Sequence, residues 1–302
     1  MADPLSPNEL FSHVEDSTGL HLPRMFTPAD SHGHIELPQP FLLEKPLLEM
    51  HTGNALIDNT IKPLDFKLTK FMVLEAVVAL VICVLFLALA ARLRGGAPAK
   101  GRLWNLLEVF LLYIRDQVAR PCIGHHDGDR FVPYLWTIFL FVLGCNLMGM
   151  IPWMGSPTGA LAVTAALAFT TFLVVVGSGM LKLGVVGFWK AQVPHMDLPK
   201  PIAMLLVPLI FVIEILGLLI KHCVLAVRLL ANMMAGHVVL AVILAFIGAS
   251  ATAGQAIWGG VTAASVLGAT ALSMLELFVA FLQAYIFTFL SALFIGAAVH
   301  PH

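Results

Sequence analysis

The chain has 302 residues, of which 59% are hydrophobic and only 12% are charged, and its formal net charge at pH 7 is −1. In a soluble globular domain about a quarter of the residues are charged, so this composition, with a mean hydropathy of +0.90, excludes that class and predicts a polytopic membrane protein. The near-zero net charge gives no basis for nucleic-acid binding, and the four scattered cysteines predict neither a zinc site nor disulfides.

The first 68 residues are polar and rich in proline, histidine and acidic side chains, which predicts an extramembrane arm before a membrane domain at residues 69–302. Residues 71–91 are long and apolar enough to cross the hydrocarbon layer of about 30 Å once. A basic stretch follows. Residues 103–118 then place apolar side chains on one helix face and polar side chains on the other, which is typical of an amphipathic helix lying in the membrane interface. We place this interfacial helix at about residues 102–120.

Four further apolar segments follow along the chain. Residues 131–151 and 161–181 predict a helical hairpin, joined by the uncharged turn at residues 152–160. Two longer stretches, residues 202–249 and 257–299, are separated by a loop of small residues. The predicted fold class is therefore an all-α integral membrane protein with about five crossings and one interfacial helix.

Lysine and arginine predict the orientation of these spans. Residues 92–130 and 182–200 hold ten of the seventeen basic residues, whereas residues 152–160 hold none. The positive-inside rule places both basic segments in the cytoplasm. With five crossings, the N-terminus would lie outside and the C-terminus in the cytoplasm.

The last two helices are predicted to be long and strongly tilted. As one helix, residues 202–249 would extend about 72 Å. The alternative is two ordinary spans with a turn near residues 221–228. That turn would place Lys221 and Arg228 at the outer surface, against the positive-inside rule, and it contains neither glycine nor proline.

Arg228 is the most informative residue of the chain, because it lies within an otherwise almost wholly apolar stretch. A guanidinium stays charged in a protein, and placing it at membrane depth costs about 2.5–3.5 kcal/mol, so such an arginine indicates a functional site. Glu214, Lys221 and Arg228 recur every seven residues and Asn232 follows one turn later, so all four share an arc of roughly 40°. Alternatively, Arg228 is a structural arginine paired with an acidic neighbour, and Lys221 extends its stem to the membrane surface.

A second polar stripe lies in the last apolar stretch, where Glu276 and Gln283 are seven residues apart and share a helix face. If the two long helices run antiparallel, their depths place Arg228 near Gln283 and His237 near Glu276. A His/Glu pair near the outer surface suits a proton relay, because both groups can titrate near neutral pH when they are coupled. The alternative is a packing histidine hydrogen-bonded to Glu276.

Other kinds of site find little support. A haem-binding bundle would need paired histidines on two helices, but only His222 and His237 lie inside a span, both on one helix. His32 and His34, which are separated by one glycine, are a weak indication of a metal-binding site. We find no phosphate-binding glycine loop and no nucleophile constellation, so we expect no cofactor, no metal and no ATP site.

Two other functions are alternatives. A secondary transporter would show inverted repeats, which we do not find. A structural scaffold would leave both polar stripes without a purpose.

Two segments resemble a known family. Residues 227–237, VRLLANMMAGH, closely resemble the Arg-Leu-x-x-Asn-Met-x-Ala-Gly signature of the a subunit of the F-type ATP synthase. Residues 282–287, LQAYIF, resemble that family's Leu-Gln-Ala-aromatic-Ile-Phe segment. Glu214 and Lys221 also match family positions, and the likeness covers about residues 66–302.

The resemblance implies a stator subunit of the proton-translocating sector, in the bacterial inner membrane. Such a subunit is not an enzyme on its own, because the chemistry on ATP occurs in a remote part of the complex. The implied partners are the rotor ring of c subunits, b-type peripheral stalk subunits, the rest of the complex and membrane lipid.

By position in the family signature, the resemblance implies that Arg228 is the essential arginine facing the c ring. The resemblance also assigns Asn232 and Gln283 to the nearby aqueous access, Glu214 to the cytoplasmic half-channel, and His237 and Glu276 to the outer half-channel.

Two features of this chain bear on the outer half-channel. Many bacterial members carry Glu at the position of His237 and His at that of Glu276, and this exchange favours a pairing of the two. After Pro157 and Thr158 many relatives have Asp or Asn, whereas this chain has Gly159. The departure argues against a polar contribution from the hairpin at residues 131–181 to the outer half-channel.

Overall fold

A computed structural model describes eight parts of the chain: residues 19–21, 34–36, 39, 68–93, 101–151, 155–192, 200–252 and 254–300. Most of the predicted N-terminal arm therefore lies outside the described residues, and its placement outside the membrane stays a prediction. Within it, Gly19–His21 (β1) pairs antiparallel with His34–Glu36 (β2). The side-chain amide of Gln39 exchanges two hydrogen bonds of 2.9 Å with the backbone of Leu68, just before the first helix.

The described residues of the membrane domain are helical almost throughout. Hydrocarbon offers no hydrogen-bond partners to a peptide group, so an apolar chain in a membrane satisfies its backbone within helices. A π-helical turn, Ile114–Ala119, joins the second helix to the third, and short 3-10 turns occupy Pro157–Gly159 and Ser250–Thr252. The helices are α1 (Lys70–Leu93), α2 (Arg102–Tyr113), α3 (Arg120–Ile123), α4 (His125–Gly149), α5 (Leu161–Leu183), α6 (Val185–Ala191), α7 (Lys200–Ala249) and α8 (Gln255–Val299).

Five helices in the described ranges, α1, α4, α5, α7 and α8, are long and apolar enough to cross a membrane. This confirms the predicted fold class, an all-α integral membrane protein with about five crossings. α4 begins six residues before the predicted span, at His125. The polar residues there extend the helix, and Asp127 in the first turn interacts favourably with the helix dipole.

α7 is one continuous helix of 50 residues and α8 one of 45 residues. The alternative with a turn near residues 221–228 is therefore wrong. The two helices run antiparallel, because His237 contacts Glu276 whereas the earlier His222 contacts the later Phe294. They extend about 75 and 68 Å, more than twice the hydrocarbon thickness of about 30 Å, and their tilt in the membrane stays a prediction.

The apolar face predicted for residues 103–118 runs past the end of α2 into the π-helical turn and is divided between the protein core and the surroundings. Its second half, Leu111, Ile114 and Val118, is buried in the core, and Trp136 of α4 donates a hydrogen bond of 2.8 Å to the carbonyl of Leu111. Leu103, at the other end, is 75% exposed. The amphipathic helix thus packs along α4 as well, while its place in the membrane interface stays a prediction.

Glycines allow the closest helix approaches. A Cβ built on Gly179 of α5 would lie 3.1 Å from the carbonyl oxygen of Ala298 and would collide with the ring of Phe188. A Cβ on Gly296 of α8 would collide with the carbonyl of Cys122. Small residues at such crossings let helix backbones approach, which drives packing between helices in lipid.

Candidate functional site

His237 of α7 and Glu276 of α8 meet between the two long helices. The Nδ1 atom of His237 lies 3.4 Å from Oε1 of Glu276, and the side chains are 13% and 8% exposed. The contact confirms the pairing predicted from matched depths. The Nε2 atom of His237 is buried without a hydrogen-bond partner among the described residues. A role of the pair in ion transport stays a prediction.

Gly236 makes room for the carboxylate of Glu276. A Cβ built on Gly236 would lie 2.7 Å from Oε1 of Glu276 and 3.0 Å from its Cδ atom. Real Cβ atoms essentially never approach a neighbour that closely, so any larger residue would push the carboxylate away from its position. The glycine before His237 therefore has a steric role in this contact.

Arg228 lies at the twenty-ninth of the 50 positions of α7, far from both helix ends. Leu225 and Leu229 are buried beside it, whereas Val227 is 53% exposed, so Arg228 lies at the border between the packed and the open side of the helix. Within the described ranges, no carboxylate lies within ion-pair distance of its guanidinium. The structure thus gives no support to the alternative of a structural arginine paired with an acidic neighbour.

The other predicted site residues follow the same two helices. Asn232 and Glu214 are half-buried and Lys221 is exposed, all on the continuous helix α7, whereas Gln283 is 6% exposed on α8. Within the described part of the chain, no hydrogen bond joins the side chains of Arg228 and Gln283. Their proximity stays a prediction.

A buried polar network that was not predicted from the sequence joins the hairpin to α8. Thr158 donates a hydrogen bond of 2.7 Å to Oδ1 of Asn146, and Nδ2 of Asn146 donates one of 3.3 Å to the carbonyl of Ala280. The hydroxyls of Ser156 and Thr158 are 2.8 Å apart. Ala280 follows Glu276 by one helical turn, so the hairpin brings polar groups close to the His/Glu pair. Whether these groups contribute to an outer half-channel, which the departure at Gly159 argues against, stays a prediction.

The signal for this network was present in the sequence. Asn146 is an uncharged polar residue within the span predicted at residues 131–151, and buried polar side chains in membranes are expensive unless they are hydrogen-bonded. Ser156 and Thr158 flank Pro157 in what looks like an ordinary turn. Sequence alone does not show that this turn folds back onto α4 and α7.

His222 has a packing role. It is 3% exposed, its Nδ1 atom lies 2.8 Å from the carbonyl oxygen of Leu218, and its ring contacts Phe172 of α5 and Phe294 of α8 at centroid distances of 5.3 and 5.2 Å. In the parts that the structure describes, no group of three or more His, Cys, Asp or Glu residues could hold a metal ion. The predicted metal hint at His32 and His34 falls only partly within them, because His34 lies in β2 and His32 is outside the described residues.

Charged residues gather at one end of the helix bundle. Asp127 at the start of α4 pairs with Lys182 at the end of α5 and lies 3.3 Å from His300, which follows α8. Nearby, Arg120 bonds both Asp116 and Asp129, and the hydrogen bond from Arg115 holds the pKa of Asp116 below its ordinary value. The two predicted basic segments and the C-terminal end therefore share one end of the bundle. The side of the membrane that this end faces stays a prediction.

Known proteins resemble this chain over most of its length. The family model of the ATP synthase A chain matches residues 72–296. ATP synthase subunit a of Myxococcus xanthus (strain DK1622) is 40% identical over 245 residues, which cover 79% of this chain and 76% of that protein. ATP synthase subunit a of Anaeromyxobacter sp. (strain Fw109-5) is 36% identical over 301 residues, 97% of this chain and 70% of that protein. The protein of the same name from Anaeromyxobacter dehalogenans (strain 2CP-1) is 45% identical over 202 residues, 66% of this chain and 50% of that protein.

Proposed function

This chain belongs to the ATP synthase A chain family, the a subunits of F-type ATP synthases, and from that premise we propose that it is the stator of proton translocation. It forms two aqueous half-channels that pass protons to and from the carboxylates of the rotor c ring, and it thereby couples proton flow to rotation and ATP synthesis. The membership sets aside the alternative of a stand-alone transporter. The observation that carries the proposal is Arg228, a permanent cation deep within α7 with no acidic partner in the described ranges.

An unpaired arginine at membrane depth needs a counter-charge, because an uncompensated buried charge is costly. The open side of α7 beside Arg228, marked by the exposed Val227, leaves room for a partner subunit to supply it. A carboxylate on the rotor ring fits this requirement. As the ring turns, successive carboxylates can pair with the same guanidinium, which stays fixed on the stator.

Proton transfer follows from the fixed charge of Arg228. A ring carboxylate arrives from lipid protonated and loses its proton beside Arg228, because the cation favours the ionised form. It takes a proton from the other half-channel before it re-enters lipid, where an ionised carboxylate is costly. Arg228 also prevents a direct leak, because a permanent cation repels protons and cannot relay them. Each charge that crosses 100 mV supplies about 2.3 kcal/mol, which biases the rotation.

The outer half-channel runs past the His237–Glu276 contact. The buried Nε2 atom of His237 and Oε1 of Glu276 have no hydrogen-bond partners among the described residues, and water in a channel would satisfy both. Asn232 and Gln283 line the access between this pair and the arginine. The network of Asn146 holds α8 at Ala280, between Glu276 and Gln283.

The cytoplasmic half-channel follows the other end of the α7 stripe. Glu214 precedes Arg228 by fourteen residues, about 21 Å along the helix, and Lys221 lies midway between them. A half-buried carboxylate at Glu214 can exchange protons with water that enters from the cytoplasm. The two half-channels are therefore offset along α7, with Arg228 between them.

The remaining assignments place the subunit in its complex. Residues 69–302 form the ion-translocating domain in the bacterial inner membrane, with residues 1–68 as an extramembrane arm outside and the C-terminus in the cytoplasm. α2 lies at the membrane interface. b-type peripheral stalk subunits hold the chain against the rotor, and the chain itself carries out no chemistry on ATP.

The test compares ATP-driven acidification of inverted membrane vesicles that carry the assembled complex, wild type against Arg228→Ala. We expect pumping to be abolished while the complex remains assembled. Arg130→Ala is the matched control, because Arg130 is an exposed arginine outside the proposed pathway, and it should pump like the wild type. Undiminished pumping by the Arg228→Ala complex would overturn the proposal and return Arg228 to a structural role.

A further inference from the structure

Two arginines and a tryptophan form a corner where α1 ends and α2 begins. The guanidinium of Arg92, in the last turn of α1, lies over the ring of Trp104 in the first turn of α2, 4.6 Å from the ring centroid. Arg102 is the first residue of α2, two positions before Trp104. We call Arg92, Arg102 and Trp104 the α1–α2 corner. The indole holds the guanidinium of Arg92 in place, at the junction of the two helices.

The α1–α2 corner carries positive charge that the surrounding chain does not neutralise. Arg92 and Arg102 are exposed, and neither forms an ion pair with any residue that the structure describes. The sequence between them adds Arg94 and Lys100 and contains no acidic residue. Stacking on an aromatic face leaves the N–H groups at the edge of a guanidinium free, and these groups match the oxygens of a phosphate. The corner is therefore suited to an anion.

The length of α1 places the corner at the membrane boundary. The apolar span Lys70–Arg92 has 23 residues, about 34 Å of helix, and a cation stands at each end of it. The hydrocarbon layer is about 30 Å thick, so Arg92 lies where the hydrocarbon meets the headgroups. Tryptophan is enriched at this level of a membrane. Arg92 and Trp104 therefore agree with the interfacial position predicted for α2, and the anions at that level are lipid phosphates.

An exposed apolar stripe continues from the corner along α2. Leu103, Leu106 and Val109 follow one another at intervals of three residues, so they lie on one side of the helix. Their side chains are 75%, 54% and 63% exposed. Cations next to an apolar stripe match the two parts of a phospholipid, since its phosphate is followed directly by acyl chains.

We propose that the α1–α2 corner binds the headgroup of an anionic phospholipid, with an acyl chain lying along the stripe of Leu103, Leu106 and Val109. Four basic residues directly after a membrane span attract anionic lipids. A zwitterionic headgroup carries its own ammonium group, which opposes this attraction. The bound lipid fixes the start of α2 at the membrane surface. This site is separate from the proposed ion pathway on α7 and α8 and does not depend on it.

Photolabelling of the assembled complex tests the site. Purified ATP synthase is reconstituted into phosphatidylcholine vesicles that contain a trace of either phosphatidylglycerol or phosphatidylcholine with the same diazirine near the carbonyl end of one acyl chain. We expect phosphatidylglycerol to label Leu103 and Leu106 about fivefold more than phosphatidylcholine does, because each arginine near a membrane surface adds to the attraction for anionic lipid. Leu161, which is 59% exposed at the other end of the bundle, should be labelled equally by both probes. Both leaflets have one composition, so the result is independent of the orientation of the chain.

Matched glutamine variants show whether the two arginines cause the preference. Arg92→Gln and Arg102→Gln should each reduce the ratio between the two probes at Leu103, and the double variant should bring it close to one. Arg130→Gln is the control, because it removes an exposed arginine outside the corner, and it should leave the ratio unchanged. Equal labelling of Leu103 by the two probes in the wild type would overturn the proposal, as would a preference that survives in the double variant. A photoreactive residue at Leu106 that crosslinks to another subunit in place of lipid would overturn it as well.

Discussion

At the contact between His237 and Glu276, steric room is as important as chemical identity. The histidine and the carboxylate lie 3.4 Å apart in a largely buried setting, and Gly236 faces the same carboxylate from the backbone of α7. Because the carboxylate is held from two sides, a small displacement changes its distance to the imidazole and to any water that reaches the pair. In the proposed relay, proton transfer requires donor and acceptor within hydrogen-bond reach, so such a displacement would slow it.

Gly236→Ala should therefore impair proton pumping without removing a titratable group. The new methyl group would lie 2.7 Å from Oε1 of Glu276, so the carboxylate at the end of this flexible side chain would have to shift. The measurement is ATP-driven acidification of vesicles, normalised to the amount of assembled complex. Gly248→Ala on the same helix is the control, because a Cβ there meets nothing within 4 Å. Equal pumping by the two alanine variants would show that the position of the carboxylate is not critical.

At the scale of elements, the helices whose extent depends on nearby residues could be predicted from the sequence. The positive-inside rule and the absence of glycine and proline at residues 221–228 predicted one long helix, which α7 confirms. Contacts between distant segments could not be predicted, because hydrophobic periodicity indicates a buried face without naming its partner. The packing of α2 along α4 and the bonds from Thr158 to Asn146 and from Asn146 to Ala280 are of this second kind.

The crossing of α5, α6 and α8 at Gly179 gives an element-scale prediction. Gly179→Ala should destabilise the packing by about 1–3 kcal/mol, because its Cβ would meet Phe188 and the carbonyl of Ala298. Gly177→Ala, two residues earlier, should cause no loss, because a Cβ there finds open space and alanine favours a helix. The temperature at which this subunit dissociates from the detergent-solubilised complex measures the difference. A lower dissociation temperature for Gly177→Ala than for Gly179→Ala would contradict this account of the crossing.

On the scale of the whole molecule, the positions of the charged side chains agree with the order in which the helices cross the bundle. The pair of Asp127 with Lys182 brings the ends of α4 and α5 together, and His300 joins them from the end of α8. Both basic segments thus lie at the end of the bundle opposite the turn at Ser250–Thr252, which has no lysine or arginine. Such a separation is what the positive-inside rule requires of a chain whose charged end stays in the cytoplasm.

Cysteine accessibility tests this orientation. In a variant without the four native cysteines, a single cysteine is introduced either at His126, whose side chain is fully exposed at the charged end, or at Ala251 in the opposite turn. A membrane-impermeant maleimide should label position 126 only in inverted vesicles and position 251 only in right-side-out vesicles, so each variant is the control for the other. The reverse pattern would place the charged end outside. The proposed half-channel of Glu214 would then open to the outside and the proposed half-channel of His237 to the cytoplasm.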